Sequence, residues 1–219
     1  MTNNINPKNS YLAIFATLCM VFVSTIIMSD LLTYKLVNFF GLTATLAIVI
    51  YPLSYRVSNI ITECFGKGIA ISVIIIGLIL EVLFDCFLTI ASLIPNALNP
   101  DYAIAFSTTL GPMSTIATGS LIAALFGYMT NILIMNTLKK KQITKSFYTR
   151  SIVSSICGEA TFILIGYTIW YYATGLTIKT ILSLMCISLV SKIIFSIIYS
   201  FMGKYIVTFI KRFTPEIKV

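Results

Sequence analysis

Histidine is absent from the 219 residues, and only seven side chains are acidic. The five cysteines, Cys19, Cys64, Cys86, Cys157 and Cys186, are scattered without a Cys-x-x-Cys pair. Ligand sets of that kind do not build a structural zinc site, a haem site or a thiol-redox centre. The acids are dispersed as well, with no clustered aspartate motif for a metal and no histidine base. An enzyme acting on lipid or prenyl substrates inside a membrane commonly needs one of these, so that class is disfavoured, and no cofactor is expected. Low-complexity tracts and a convincing internal repeat are missing too, which closes the inverted-repeat route to a transporter site. Charge is scarce, at 10% of residues against 58% hydrophobic, and the mean hydropathy is +0.98. A soluble globular domain does not look like this.

What is there is a series of apolar runs reaching the roughly 20 residues that cross a hydrocarbon core about 30 Å thick. Helices rather than a barrel are implied. The expected fold is all-α: one transmembrane domain over residues 1–219, with six spanning helices in a single bundle. The spans are read at residues 11–28, 42–61, 69–93, 113–138, 151–173 and 178–203, the last continuing as an amphipathic tail to Arg212. The first run is too long for a signal-peptide core, and no small-x-small cleavage site follows Met28, so it is kept as an uncleaved span. Asp30 and Lys35 fall in a short outer loop, and residues 94–112 form the longest outer loop.

The net charge of +8 points to topology rather than to nucleic acid. Lys8, Lys67, Lys139, Lys140, Lys141, Lys145, Arg150, Lys204, Lys211, Arg212 and Lys218 lie on one side of this arrangement. Only Lys35 and Lys179 lie on the other. The positive-inside rule then places both termini in the cytoplasm. The expected partners are the lipid bilayer and a small molecule, with no nucleic acid; a homo-oligomer is compatible with the sequence.

Ionisable residues inside spans cost on the order of 2.5 to 3.5 kcal/mol each at a helix centre, so each needs a partner or a watery cavity. Arg56, Glu63, Glu81, Asp85, Glu159 and Lys192 are of this kind. Arg56, Asn59 and Glu63 recur at offsets of three and four behind Pro52, which puts them on one helix face. Arg56 can alternatively extend to the inner headgroups. Glu159 and Lys192 sit at similar depths and are expected to pair. Glu81 and Asp85 share a face, and two carboxylates in a low-dielectric site resist being ionised together. They read as a proton-coupling site, an acidic patch for a cationic substrate, or the wall of a polar vestibule.

Tyr51-Pro52, Asn59, Thr62-Glu63 and Phe65-Gly66 fall on the spacing of a known signature: an aromatic-Pro pair, six residues, an acid, then x-x-Thr-Glu-x-aromatic-Gly. In this the chain resembles the queuosine precursor transporter family, within the wider group of vitamin-uptake-like transporters. Further matches are Ala105-Phe106, Ile116 to Ser120 with Ala123, Arg150, Ser154 to Glu159, and Lys192. Departures are Asn59 for the usual acid, Thr115 for an Arg, Tyr128 and Asn131 for Gln and Asp, and Phe162 for an Asp. The resemblance implies import of 7-deazaguanine bases, queuine or its cyano or aminomethyl precursors, across the inner membrane. A carboxylate can accept two parallel bonds from a guanine-like edge, and flat rings favour aromatic faces. The implied substrate groups are Asn59, Glu63, Glu159 and Lys192, with Tyr51, Tyr55, Phe106 and Tyr128 as stacking groups. Two alternatives stay open: the substrate-binding component of an energy-coupling-factor importer, and an intramembrane lipid-modifying enzyme. The Ala-x-x-x-Ala docking pattern of the former is absent, since Thr17 follows Ala13 by four residues, which favours a stand-alone carrier.

Overall fold

The structure, a computed structural model, describes residues 7–33, 35–39, 42–95, 100–111, 113–174 and 177–213. The elements run α1 (Pro7–Thr33), β1 (Leu36–Phe39), β2 (Leu42–Thr45), α2 (Ala47–Phe65), α3 (Lys67–Ser92), α4 (Pro100–Leu110), α5 (Met113–Lys140), α6 (Phe147–Thr174) and α7 (Ile178–Phe213). Five helical segments, Ser10–Thr33, Lys67–Ser92, Gly119–Lys140, Phe147–Ile169 and Ile181–Arg212, are long and apolar enough to cross a membrane. Their outward sides carry Ile76, Phe87, Ile194 and Phe209, all exposed, while Arg56, Asn59, Glu81, Asp85, Glu159 and Lys192 are buried. Apolar groups outside and charges inside is the arrangement a hydrocarbon solvent demands.

The sixth long helix, α2, is of another kind. From Tyr51 to Phe65 all its residues but Leu53 are buried, and it packs against α1, α3, α5, α6 and α7. Because other helices rather than lipid surround it, it can carry the serines, Arg56, Asn59 and Glu63. α2 and α3 are joined by Gly66 alone, whose φ of 90° and ψ of 163° belong to a region that is almost reserved for glycine. Tyr11 of α1 packs its ring 5.0 Å from that of Phe65, and Lys211 of α7 reaches Glu63. The start of α1 and the end of α7 therefore lie at one end of the bundle. Lys139 and Arg150 join them there, since both contact Glu63 as well. This is the basic end.

Three sequence expectations change. Residues 42–45 do not begin a helix: they pair with β1 as an antiparallel ribbon, Leu36 opposite Thr45 and Phe39 opposite Leu42. Thr43 and Thr45 are β-branched and suit a strand, and α2 starts only at Ala47. The loop expected over 94–112 contains α4, which opens on Pro100, a residue pre-set for the first turn of a helix. Asp30 is not in a loop, because α1 runs on to Thr33.

α5 and α6 approach closely at Gly127 and Gly158. A Cβ on Gly158 would stand 2.7 Å from the Gly127 carbonyl oxygen and 2.8 Å from the ring of Tyr55. The obstacle includes backbone, so it cannot swing away. Gly158→Ala is therefore expected to destabilise by roughly 1 to 3 kcal/mol, read as a lower unfolding temperature of the detergent-solubilised protein. An unchanged temperature would show that the two helices can part.

Candidate functional site

Pro52 removes the donor that would serve the Ile48 carbonyl four residues back. On the next carbonyl, that of Val49, the hydroxyl of Tyr199 donates from α7 at 2.9 Å. Below this point α2 is tied to its neighbours by side chains. Asn59 Nδ2 donates to the Ser151 carbonyl at 3.2 Å, to Ser151 Oγ at 3.1 Å and to Ser155 Oγ at 3.0 Å. Its Oδ1 accepts from Asn131 Nδ2 at 2.9 Å and Ser154 Oγ at 3.3 Å. One amide thus joins α2, α5 and α6, and in this arrangement its hydrogen-bonding capacity is taken up by the protein.

Arg56 does not extend to a headgroup layer. It is 1% exposed, with its guanidinium donating to Ser151 Oγ and, at 3.2 Å, to the Ser196 carbonyl. Ser196 in turn donates its hydroxyl to Glu159 Oε1 at 2.7 Å. Glu63 is bound by cations at the basic end: Arg150 on Oε2 at 2.9 Å and Lys211 on Oε1 at 2.7 Å. Lys139 donates to the Glu63 carbonyl at 3.0 Å, so α2, α5, α6 and α7 meet on this one residue.

Glu159 and Lys192 are brought near each other, and the Glu159 charge acts on the Lys192 ammonium. They do not form the expected pair: among the described residues no ion pair within 4.0 Å joins them. Lys192 Nζ lies over the ring of Phe162 at 4.2 Å and over Tyr51 at 4.5 Å, a cation–π arrangement that compensates part of its burial. Glu159 is fully buried, and its Oε2 has no donor among the described residues.

Around these two charges stands a group of rings. Tyr55 stacks on Tyr128 at 4.6 Å, Tyr51 lies 5.6 Å edge-on from Tyr55, and Phe162 is 4.8 Å from Tyr51. Tyr128 OH shares a 2.5 Å hydrogen bond with Ser54, whereas the buried Tyr51 OH has no partner among the described residues. Phe106 is elsewhere. It sits on α4 and lines a groove of about 570 Å³ with Ala91, Ser92 and Tyr102.

Glu81 and Asp85 lie on the same buried face of α3. A third acid comes to the same level from α1: Phe22 and Ile26 pack against Gly77, and Asp30 and Glu81 each lie one turn further along. No ion pair forms with any of the three among the described residues.

A family model described as "Putative vitamin uptake transporter" matches residues 45–207, from the end of β2 to the last third of α7. The chain belongs to this vitamin uptake transporter family. No curated protein and no solved structure matches it. Every residue of the polar network on α2, α5, α6 and α7 down to Val207 lies inside the matched region of this uptake transporter; Asp30 and Lys211 lie outside it. Those two, with Ser54, Ser151, Phe162, Ser196 and Tyr199, are among the contributions that sequence reasoning did not assign to the site. Phe162 was visible only as the loss of an acid, and Ser196 carried no signal, since a lone serine in a spanning helix is commonplace.

Proposed function

We propose that this family member imports 7-deazaguanine bases, queuine or its cyano or aminomethyl precursors, across the inner membrane through six spans with both termini cytoplasmic. α2 supplies the sixth crossing. Its 19 residues give about 28 Å at 1.5 Å per residue, close to a hydrocarbon core. The single domain then comprises α1, α2, α3, α5, α6 and α7, and an even number of crossings returns the chain to the side on which it began.

One observation carries the substrate reading: Glu159 holds a fully buried carboxylate oxygen with no donor among the described residues, one residue on from Gly158, which packs on the ring of Tyr55. A buried acceptor left open is costly unless a ligand completes it. The N-H edge of a guanine-like base offers two donors at the spacing of a carboxylate, and Tyr51, Tyr55 and Tyr128 offer faces for its ring. Lys192, whose ammonium lies over the rings of Phe162 and Tyr51, is the natural donor to the base's carbonyl oxygen. Asn59 and Glu63 reach the substrate by exchanging partners they now hold, so they act as the walls of the path and Glu159 with Lys192 as its contacts. The resemblance of Tyr51 to Gly66 to the queuosine precursor signature selects this base class.

Cells carrying the protein are expected to accumulate a labelled 7-deazaguanine base well above an empty-vector control. Membrane insertion with no accumulation of queuine or either precursor would refute the substrate. Dependence of uptake on a co-expressed ATPase would instead point to the energy-coupling-factor reading.

A further inference from the structure

The described polar network leaves out three carboxyl groups at the end of the bundle opposite the basic one. Asp30 comes from the last turns of α1, and Glu81 and Asp85 from successive turns of α3. Asp85 is 1% exposed with neither oxygen bonded, and Glu81 Oε2 and Asp30 Oδ2 are likewise without donors among the described residues. Phe22 and Ile26 of α1 pack against Gly77 of α3, which brings Asp30 and Glu81, one turn further along each helix, to the same level of the bundle. Carboxylates brought together in a low-dielectric site resist being ionised together, and a proton held among them relieves the repulsion. A metal ion would need several oxygens converging on one point, and no group of three His, Cys, Asp or Glu among the described residues is so placed.

A second observation points the same way from another helix. The hydroxyl of Tyr51 on α2 is buried and without a hydrogen-bond partner among the described residues, and its ring belongs with Tyr128 and Phe22 to a cluster that packs on α3 at Gly77, one turn before Glu81. The opposite use of the same side chain is its ring face, which carries the Lys192 ammonium. The other titratable group in this cluster is Tyr128 on α5, whose hydroxyl is held by Ser54; α4, which also packs on α3, carries Asp101 and Tyr102, both exposed. Lys35 after α1 is exposed and makes no ion pair with Asp30.

We propose that Asp30, Glu81 and Asp85, with the Tyr51 hydroxyl, form a proton-binding site that couples proton entry to substrate import. The inference rests on the transport reading and adds its energy source. A proton from the outer solution binds a carboxylate oxygen shared by Asp30 and Glu81. It removes one negative charge from beside Tyr51, which spans the distance to Lys192 and the substrate contacts. One proton and one base then enter together, and the proton leaves to the cytoplasm.

The test uses the full-length protein in lipid vesicles with an imposed pH gradient and a labelled 7-deazaguanine base. Wild type is expected to accumulate base only with the outside acidic, and to lose accumulation when a protonophore is added. Glu81→Gln and Asp30→Asn, which mimic the protonated form, are expected to lower gradient-driven accumulation at least about tenfold while still exchanging labelled for unlabelled base. Accumulation that ignores the protonophore, or variants that still follow the gradient, would overturn the coupling while leaving transport standing. If no base moves in wild type, the transport reading fails, and the site is judged by infrared spectroscopy of the substrate-free protein. There a carbonyl stretch from a protonated carboxyl group is expected near neutral pH and should weaken in both variants; its absence from wild type overturns the site.

Discussion

Glu159→Gln is expected to reduce uptake of a labelled 7-deazaguanine base by about ten- to a hundredfold, the value of one charge-assisted hydrogen-bond acceptor of roughly 1.5 to 3 kcal/mol. Ser196 can still donate to the amide oxygen, so the local hydrogen bond at Oε1 survives. What is lost is the second acceptor, because the amide NH2 meets the substrate's donors with another donor. Glu159 is linked through Ser196 to the buried Arg56 guanidinium, so the single variant should also unfold at a lower temperature. The double variant Glu159→Gln, Lys192→Gln separates the effects. It removes one buried charge of each sign and is expected to recover much of the stability without recovering uptake. Recovery of uptake in the double variant would reduce Glu159 to a counter-ion for Lys192.

The second large effect is expected at the basic end. Glu63→Gln leaves Arg150 largely buried without a carboxylate, and breaking a buried pair from one side costs on the order of 3 to 5 kcal/mol. The lower figure is the better expectation, since Arg150 keeps its bond to the Thr144 carbonyl at 2.8 Å. Lys211 is 47% exposed on its side chain, so Lys211→Gln should cost little, within the range of surface pairs at about 0 to 1 kcal/mol. Unfolding temperatures of Glu63→Gln, Arg150→Gln and Lys211→Gln in one detergent test this directly. Equal losses in all three would mean that the cations act as one charged patch rather than through the buried contact of Arg150.

Much of this molecule is legible in its sequence because lipid makes composition decisive. The five apolar helices stand within a few residues of their expected places, and the intramembrane charges face inward as the cost of exposing them requires. The failures have separate physical causes. At 42–45, four apolar or threonine residues before a helix fit either a strand or a first helical turn, and pairing with residues 36–39 decides between them. At Asp30, a single acid marked the end of a span by its charge, whereas its real environment is Glu81 on another helix. Glu159 and Lys192 illustrate a third kind of limit. Counting residues from helix ends gives depth, but contact also needs the direction of each side chain, and the Lys192 ammonium turns onto the rings of Phe162 and Tyr51. Asn59 shows the same. Its face was readable from its spacing with Arg56 and Glu63, but its partners Ser151 and Ser155 are residue types with no distinctive pattern.

The single-residue joint at Gly66 bears on how the protein is made. α2, with Arg56, Asn59 and Glu63 along one side, is too polar to leave a translocation channel for lipid on its own hydropathy. α3, directly after it, is the most apolar of the candidate spans, with a mean hydropathy of 2.6. On the proposed six-span topology, two helices joined by one glycine enter as a closed hairpin, and α3 carries α2 into the bilayer. The polar face of α2 then gains its partners only when α5, α6 and α7 have been synthesised.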